Sequence, residues 1–469
     1  MNLRGKRWKP VHRCGVRKAA LAVLGLLAVL SAAGCGRLQD DFGDHKSIGS
    51  GRSTENIENM GNTENTENTE NSAESLTGIS PEFEVKESSE AEAAVKPSVS
   101  DEMILESVTP ETEPVTSEAD LIAEEVEKLL ADMTLEEKIY QMFIVTPEQL
   151  TGVSTVTAAG DATKASLAQY PVGGLVYFAG NLVSPDQTKT MLSNVQSYAD
   201  EIEGVDLFLC VDEEGGRVAR VAKNGAFQAE NMSPMADVSS VEEAYRCGDT
   251  IGAYLSELGF NVDFAPDADV LTNSANTVIG DRSFGSDPEI VTKYAIAYSD
   301  GLHAHGMMST FKHFPGHGAT EADTHEGYAY TDKSYEALME SELKPFCAAG
   351  ANGVDLVMVA HISVPTVTGD NTPSSLSEKM IAGILRGELG YDGLIVTDAL
   401  NMGAIAGNYS SSSTAVKAVT AGVDLLLMPG DLQAAYSGIY NAVRSGEISE
   451  ERIDESVRRI LTAKVRLNR

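Results

Sequence analysis

The sequence predicts an α/β fold of the (β/α)8 TIM-barrel type over residues 118–469, behind a disordered N-terminal tether. Two observations predict it. Eight short apolar runs recur, at Met142–Val145, Gly174–Phe178, Asp206–Val211, Val262–Ala265, Met307–Phe311, Leu356–Ala360, Leu394–Thr397 and Val423–Met428, each followed by a helical stretch. Most are Val/Ile/Leu-rich rather than alternating, as expected of parallel strands buried on both faces. Eight such units in roughly 350 residues match one barrel. An open doubly wound sheet is the other arrangement of alternating strands and helices. No G-x-G-x-x-G follows the first run, so a nucleotide site in such a sheet has little support.

The elements follow in order. Leu121, Ile122, Val126, Leu129 and Leu130 recur at helical spacing just after the tether. Helices are expected at Pro185–Ala199, Val241–Leu258, Pro288–His303, Ser334–Ala349, Ser377–Glu388 and Ala434–Val443. A closing helix, Ser449–Leu467, places Ile453, Val457, Ile460, Leu461, Lys464 and Leu467 on related faces.

The N-terminal part is of another kind. Seven Lys/Arg and no acid fall in residues 1–35, where a basic flank precedes the apolar run Ala19 to Ala33. That run is shorter than the ~20 residues a spanning helix needs and reads as a signal-peptide core. Ser31-Ala32-Ala33-Gly34-Cys35 resembles a bacterial lipobox, which makes Cys35 the expected lipidation site. Residues 36–117 hold 19 acids against 5 bases, with Thr-Glu-Asn near-repeats and few apolar side chains. Such a segment cannot bury enough surface to offset its ordering entropy. It reads as an acidic linker whose end-to-end distance is roughly 50 Å. The expected setting is the outer face of a bacterial membrane, reached through the N-terminal lipid only.

The remaining 352 residues carry 51 acids against 23 bases, so a nucleic-acid partner is excluded on charge. No C-x-x-C spacing suggests zinc or redox chemistry. No cofactor and no metal are expected, and a monomer is.

On a barrel, chemistry comes from residues at the C-terminal ends of the strands. After the third run stands Asp212-Glu213-Glu214-Gly215-Gly216-Arg217-Val218-Ala219-Arg220. After the fourth come Asp267, Asp269 and then Gly280-Asp281-Arg282-Ser283-Phe284-Gly285. After the fifth, Lys312-His313-Phe314-Pro315-Gly316-His317-Gly318 is read as a loop, with Asp323-Thr324-His325 beyond it. His361 follows the sixth run and Asp398 the seventh. Carboxylates, guanidinium groups and imidazoles on one rim suit a sugar, and a carboxylate can attack an oxocarbenium-like centre. Asp398 is the candidate nucleophile, and His325, partnered by Asp323, the candidate acid/base. Helix capping is the competing explanation for Asp398. A metal is the competing one for His313, His317 and His325, although Pro315 and Gly316 break the helix that would align the first two.

These motifs, in this order, resemble glycoside hydrolase family 3, and within it the single-domain bacterial β-N-acetylglucosaminidases. The similarity runs from Met133-Thr134-Leu135-Glu136-Glu137-Lys138 to the C-terminal helix. The resemblance implies a (β/α)8-type barrel, with Asp398 as nucleophile and His325 as acid/base with Asp323 as its dyad partner. It implies that Asp212, Arg220, Arg282, Lys312 and His313 hold the sugar hydroxyls. The expected substrate is a terminal β-linked GlcNAc residue, including those of peptidoglycan fragments, hydrolysed with retention. Ala399 departs from relatives that carry a second acid after the nucleophile. An Asp323 carboxylate beside His325 favours the imidazolium, so a mildly acidic to neutral optimum is expected. The alternatives are a phosphorylase or β-glucosidase of the same family, or a non-catalytic sugar-binding lipoprotein.

Overall fold

The computed structural model describes residues 117–320 and 329–469, all within one compact unit. The expected leader, lipid site at Cys35 and linker, and the pair Asp323 and His325, lie outside the described residues.

Ten strands are present among the described residues: β1 (Phe143–Val145), β2 (Gly174–Val176), β3 (Phe208–Val211), β4 (Val262–Asp263), β5 (Thr310–Phe314), β6 (Ala329–Tyr330), β7 (Leu356–Val359), β8 (Ile362–Ser363), β9 (Leu394–Thr397) and β10 (Leu426–Leu427). Each of the eight apolar runs contains or overlaps one of them. Every strand pair is parallel, in a five-stranded sheet ordered β10-β1-β2-β3-β4, a three-stranded sheet β5-β7-β9 and the pair β6-β8. Backbone bonds also join the two larger sheets at both ends. Met308 N–H donates to Asn261 O at 2.9 Å, and Thr397 N–H to Leu425 O at 3.0 Å. Single parallel bridges, Val262 with Met308 and Val396 with Leu425, mark the same seams. The strands of these two sheets are buried throughout, as their unbroken apolar composition requires.

The helices expected at Val241–Leu258 and Pro288–His303 appear with those bounds. Pro185–Ala199 extends to Glu203 and Ala434–Val443 widens to Leu432–Ser445, while two others differ in kind. Ser334–Ala349 divides into Tyr335–Glu340 and Lys344–Ala349, because Pro345 lacks an N–H and its ring conflicts with the carbonyl four residues back. Lys379–Glu388 is a π-helix. In the first helix, Glu118–Asp132, Ile122, Val126 and Leu130 face inward at i, i+4, i+8 against the closing helix Glu450–Leu467, while Leu121 stays exposed.

The helices Val241–Leu258 and Pro288–His303 cross backbone to backbone at Gly248 and Gly301. A Cβ on Gly248 would lie 1.9 Å from the Tyr298 carbonyl oxygen, and one on Gly301 would lie 2.3 Å from that of Tyr245. Backbone cannot step aside as a flexible side chain does. Gly248→Ala is therefore expected to cost about 3 kcal/mol or more through overpacking. Differential scanning calorimetry would show the lowered Tm; an unchanged Tm would mean the two helices separate freely.

One expectation about the fifth run is corrected. Lys312 and His313 are not loop residues. They lie within β5, which continues to Phe314 because Phe314 still pairs with Val359 of β7. The register shifts between Phe311 and Phe314. Such an irregularity re-aims side chains at a sheet rim, and here both Lys312 and His313 reach site partners. Pro315 and Gly316 then end the strand. Gly316 has φ 129°, and a Cβ there would come within 2.5 Å of the Glu342 side chain, so only glycine fits.

Candidate active site

The polar residues after the third, fourth and fifth runs meet as one buried ion network. Glu214, just past β3, is its hub. Its carboxylate accepts from Arg282 Nε and Nη2 at 2.8 Å each, and Lys312 Nζ lies 2.6 Å away. Burial alone would raise the Glu214 carboxyl, but the Arg282 and Lys312 charges outweigh it and hold the group well below the usual carboxylate range. Lys312 also donates to Asp212 Oδ1 at 3.0 Å, and Arg220 Nη2 stands 3.7 Å from Asp212 Oδ2. Burial opposes the Lys312 charge, yet Glu214 and Asp212 keep its pKa above the ordinary value. Arg220 lies over the Phe178 ring at 5.8 Å, and its Nε is buried without a hydrogen-bond partner.

His313 sits at the other side of Arg282. Its Nδ1–H donates to Asp269 Oδ2 at 2.7 Å, which leaves Nε2 bare, 3.4 Å from Arg282 Nη2. Burial and the Arg282 charge push His313 down to about 4, so the ring is neutral in this tautomer at ordinary pH. Asp267 Oδ2 lies 3.5 Å from Arg282 Nη2 and 3.9 Å from His313 Nδ1. Burial and the Asp269 charge push Asp267 up to about 7. His317 is buried as well. Its backbone N–H donates to Asp269 and its Nδ1 meets Thr320 Oγ1 at 3.0 Å, which makes it a support of this corner.

Asp267, Asp269 and His313 offer donor atoms within 4.8 Å of one another. The 2.7 Å between His313 Nδ1 and Asp269 is a hydrogen bond, and the Arg282 guanidinium already faces Asp267. A second cation would have to displace that bond and sit against Arg282, so the donor set fits a protein ion network better than a metal.

Asp398 follows β9 directly. Its backbone N–H donates to Val359 O at 2.9 Å, and its Oδ1 accepts the Ala399 N–H at 2.8 Å. The next helix, Gly403–Ala406, starts after Met402, so Asp398 is not its cap. Asp398 is near enough to His313 and His317 to oppose the lowering of both their pKa values. The structure thus brings together Asp212, Arg220, Arg282, Lys312, His313 and Asp398.

Three residues matter more than sequence reading assigned. Glu214 is the hub just described. Glu213 is buried and accepts from the Val221 and Ala222 N–H groups at 2.9 and 2.8 Å and from Tyr254 Oη at 2.9 Å, fixing the loop that carries Arg220. Arg217 pairs with Asp281 at 2.8 Å and donates to the carbonyls of Thr277, Val278 and Ile279, fixing the turn before Arg282. Three consecutive acids at a strand end were the available signal for the first two. Arg217 had none, because its partners lie 60 or more residues away.

Residues 134–463 match the family described as glycosyl hydrolase family 3 N terminal domain. The chain is 32% identical over 325 residues to Beta-hexosaminidase A of Pseudoalteromonas piscicida, covering 64% of this chain and 54% of that protein. It is 37% identical over 265 residues to a Beta-hexosaminidase of Pseudomonas aeruginosa, covering 56% of this chain and 77% of that one. Among solved structures, a glycoside hydrolase family 3 β-N-acetylglucosaminidase from Paenibacillus sp. is similar with TM-score 0.67 and 39% identity, over 72% of this chain and 63% of that one. The chain thus spans about half of the first relative and under two thirds of the structural neighbour.

Proposed function

The chain belongs to glycosyl hydrolase family 3, and on that premise we propose that it is a retaining, exo-acting β-N-acetylhexosaminidase acting on terminal β-linked GlcNAc, including that of peptidoglycan fragments. The observation that carries this reading is the linkage of Asp212, Glu214, Arg282, Lys312 and His313 into one buried network beside Asp398. Rigid, charged donors and acceptors of this kind suit a ring of sugar hydroxyls, and the unbonded Arg220 Nε is a donor such a hydroxyl would satisfy. The sugar-holding set is Asp212, Arg220, Arg282, Lys312 and His313. The likeness to proteins named β-hexosaminidase and β-N-acetylglucosaminidase selects the substrate class.

In this mechanism the Asp398 carboxylate attacks the anomeric carbon while the bond to the leaving oxygen breaks. The His325 imidazolium gives that oxygen its proton, and Asp323 supports the positive ring. The neutral His325 then takes a proton from water, whose oxygen attacks the same carbon and releases Asp398. The scaffold is a closed (β/α)8 barrel, a reading supported by the backbone bonds at both seams. The protein works as a monomer held at the outer membrane face through lipid on Cys35.

The test uses the full chain on p-nitrophenyl β-GlcNAc and p-nitrophenyl β-glucoside, with and without inorganic phosphate. Faster release from the GlcNAc substrate, unchanged by phosphate, is expected. Preference for the glucoside, or GlcNAc-1-phosphate as product, would replace the reading with a β-glucosidase or a phosphorylase. Binding without turnover would replace it with a sugar-binding protein.

A further inference from the structure

We infer that His361 is a positioning residue for Asp398, acting through the carbonyl of Ala399; the inference rests on the reading of Asp398 as nucleophile.

His361 lies just past β7 and is fully buried. Its Nε2 is 3.0 Å from Ala399 O, and its Nδ1 is 2.7 Å from Ser375 Oγ. A carbonyl oxygen only accepts, so Nε2 carries a proton. In the neutral ring Nδ1 is then bare and accepts the Ser375 hydroxyl proton. Ser375 is itself buried, and its N–H donates to Ala360 O at 3.2 Å, so the far side of the imidazole is anchored to the main chain next to His361. Both ring nitrogens are therefore assigned, and the tautomer is fixed by its partners.

Ala399 immediately follows Asp398. Its N–H donates to Asp398 Oδ1 at 2.8 Å, while its C=O accepts from His361. The turn is held at three further points, by Asp398 N–H to Val359 O at 2.9 Å, Leu400 N–H to Leu427 O at 2.9 Å and Met402 N–H to Ala399 O at 3.0 Å. The sheet thus fixes the backbone on either side of Ala399, the Met402 N–H takes one lone pair of the Ala399 carbonyl, and His361 takes the other from the side of β7. Rotation of Ala399 about its backbone would swing the N–H that orients the Asp398 carboxylate. An attacking carboxylate misplaced by about 1 Å can lose on the order of 100-fold in rate. The residues that would hold the sugar hydroxyls stand on or after β3, β4 and β5, whereas His361 bonds the turn that carries Asp398, so its effect is expected on the chemical step.

The test compares His361→Leu, His361→Gln and Ser375→Ala with the wild-type chain on p-nitrophenyl β-GlcNAc. His361→Leu is expected to lower kcat at least tenfold with KM within threefold. His361→Gln, whose amide can still donate to Ala399 O, should recover to within threefold of wild-type kcat. A purely structural role would lower Tm and the fraction of active enzyme, read by burst titration, without changing kcat per active site. Wild-type kcat in His361→Leu, a matched change in KM, or no recovery in His361→Gln would overturn the inference. Should His361→Leu not fold, Ser375→Ala keeps the question open to a decision. It leaves Nε2–H in place but releases the ring, and a several-fold loss of kcat at constant KM is expected; wild-type kcat would overturn the inference. Asp398→Asn is run alongside. If that variant keeps its activity, the nucleophile reading has failed; if it is dead while His361→Leu is fully active, only the positioning inference has.

Discussion

Asp398→Asn is expected to lower kcat/KM on an aryl β-GlcNAc by about 10⁴-fold or more while leaving the Tm almost unchanged. The two halves of that expectation have different physical sources. Asn keeps the shape of Asp and a side-chain oxygen that can accept the Ala399 N–H, now 2.8 Å from Asp398 Oδ1. The backbone bond from Asp398 N–H to Val359 O is untouched, and the side chain is only half-buried. Folding therefore loses little. Chemistry loses the covalent step, because an amide oxygen is a poor nucleophile and leaves no negative charge beside the developing oxocarbenium ion. The measurement is steady-state kinetics beside a melting curve. Retention of more than about 1% of activity would assign the nucleophile elsewhere; a large fall in Tm would make Asp398 a structural residue whose catalytic loss is secondary.

The sequence disclosed the strands because each is a short, uninterrupted apolar run, and burial on both faces demands just that composition. It disclosed helix bounds best where a capping Ser or Asp and a terminal Gly stand at the ends, as with Ser240 and Gly259 around Val241–Leu258. It failed where tertiary contact decides. Lys312 and His313 look like the start of a Pro-Gly loop, yet pairing of Phe314 with Val359 extends the strand through them. The candidate site was legible as a set of polar residues after strands, since barrel geometry collects such residues on one rim. Their wiring was not. Nothing local distinguishes Glu214, which binds two cations, from Glu213, which binds backbone N–H groups. Which acid meets Arg282 depends on a contact between residues 68 positions apart. The placement of Asp323 and His325 falls outside the described residues, so the acid/base assignment rests on the motif and on the proposed chemistry.

Arg282→Ala is expected to damage both function and folding, with a pH signature that identifies the cause. Arg282 makes two parallel bonds to Glu214 and faces Asp267 at 3.5 Å and His313 at 3.4 Å. Without it, Lys312 alone balances Glu214, while Asp267 and Asp269 lose their nearest guanidinium. Breaking one partner out of a buried pair costs about 3–5 kcal/mol, because the stranded charge stays buried. Activity should fall on the order of 10³-fold in kcat/KM, since the groups that would hold the sugar lose their common anchor. Lysine would restore the charge but not the fork, so Arg282→Lys should fall between the two.

The direction with pH follows from the two carboxyls. Glu214 is held below its ordinary value, so its contribution to wild-type stability is present above 4.5 and is lost as the pH falls toward the depressed folded value. Asp267 is raised to about 7, so its contribution is fully present in acid and is lost as the pH rises through that value. Removing Arg282 raises both folded values. The variant then forfeits the Glu214 contribution that wild type holds at neutral pH, and it suffers more from Asp267 as the pH climbs. The Tm gap between wild type and Arg282→Ala should therefore be widest above pH 7 and shrink as the pH falls below 4.5. Arg282 also helps to push His313 down to about 4, so the acid limb that His313 gives to kcat/KM should move to higher pH in the variant. Melting curves from about pH 2 to 8 and kinetics over the range where the enzyme stays folded read both effects. A Tm gap independent of pH would show that Arg282 acts by packing, and that the charges gathered around Glu214 and Asp267 are not what holds this rim together.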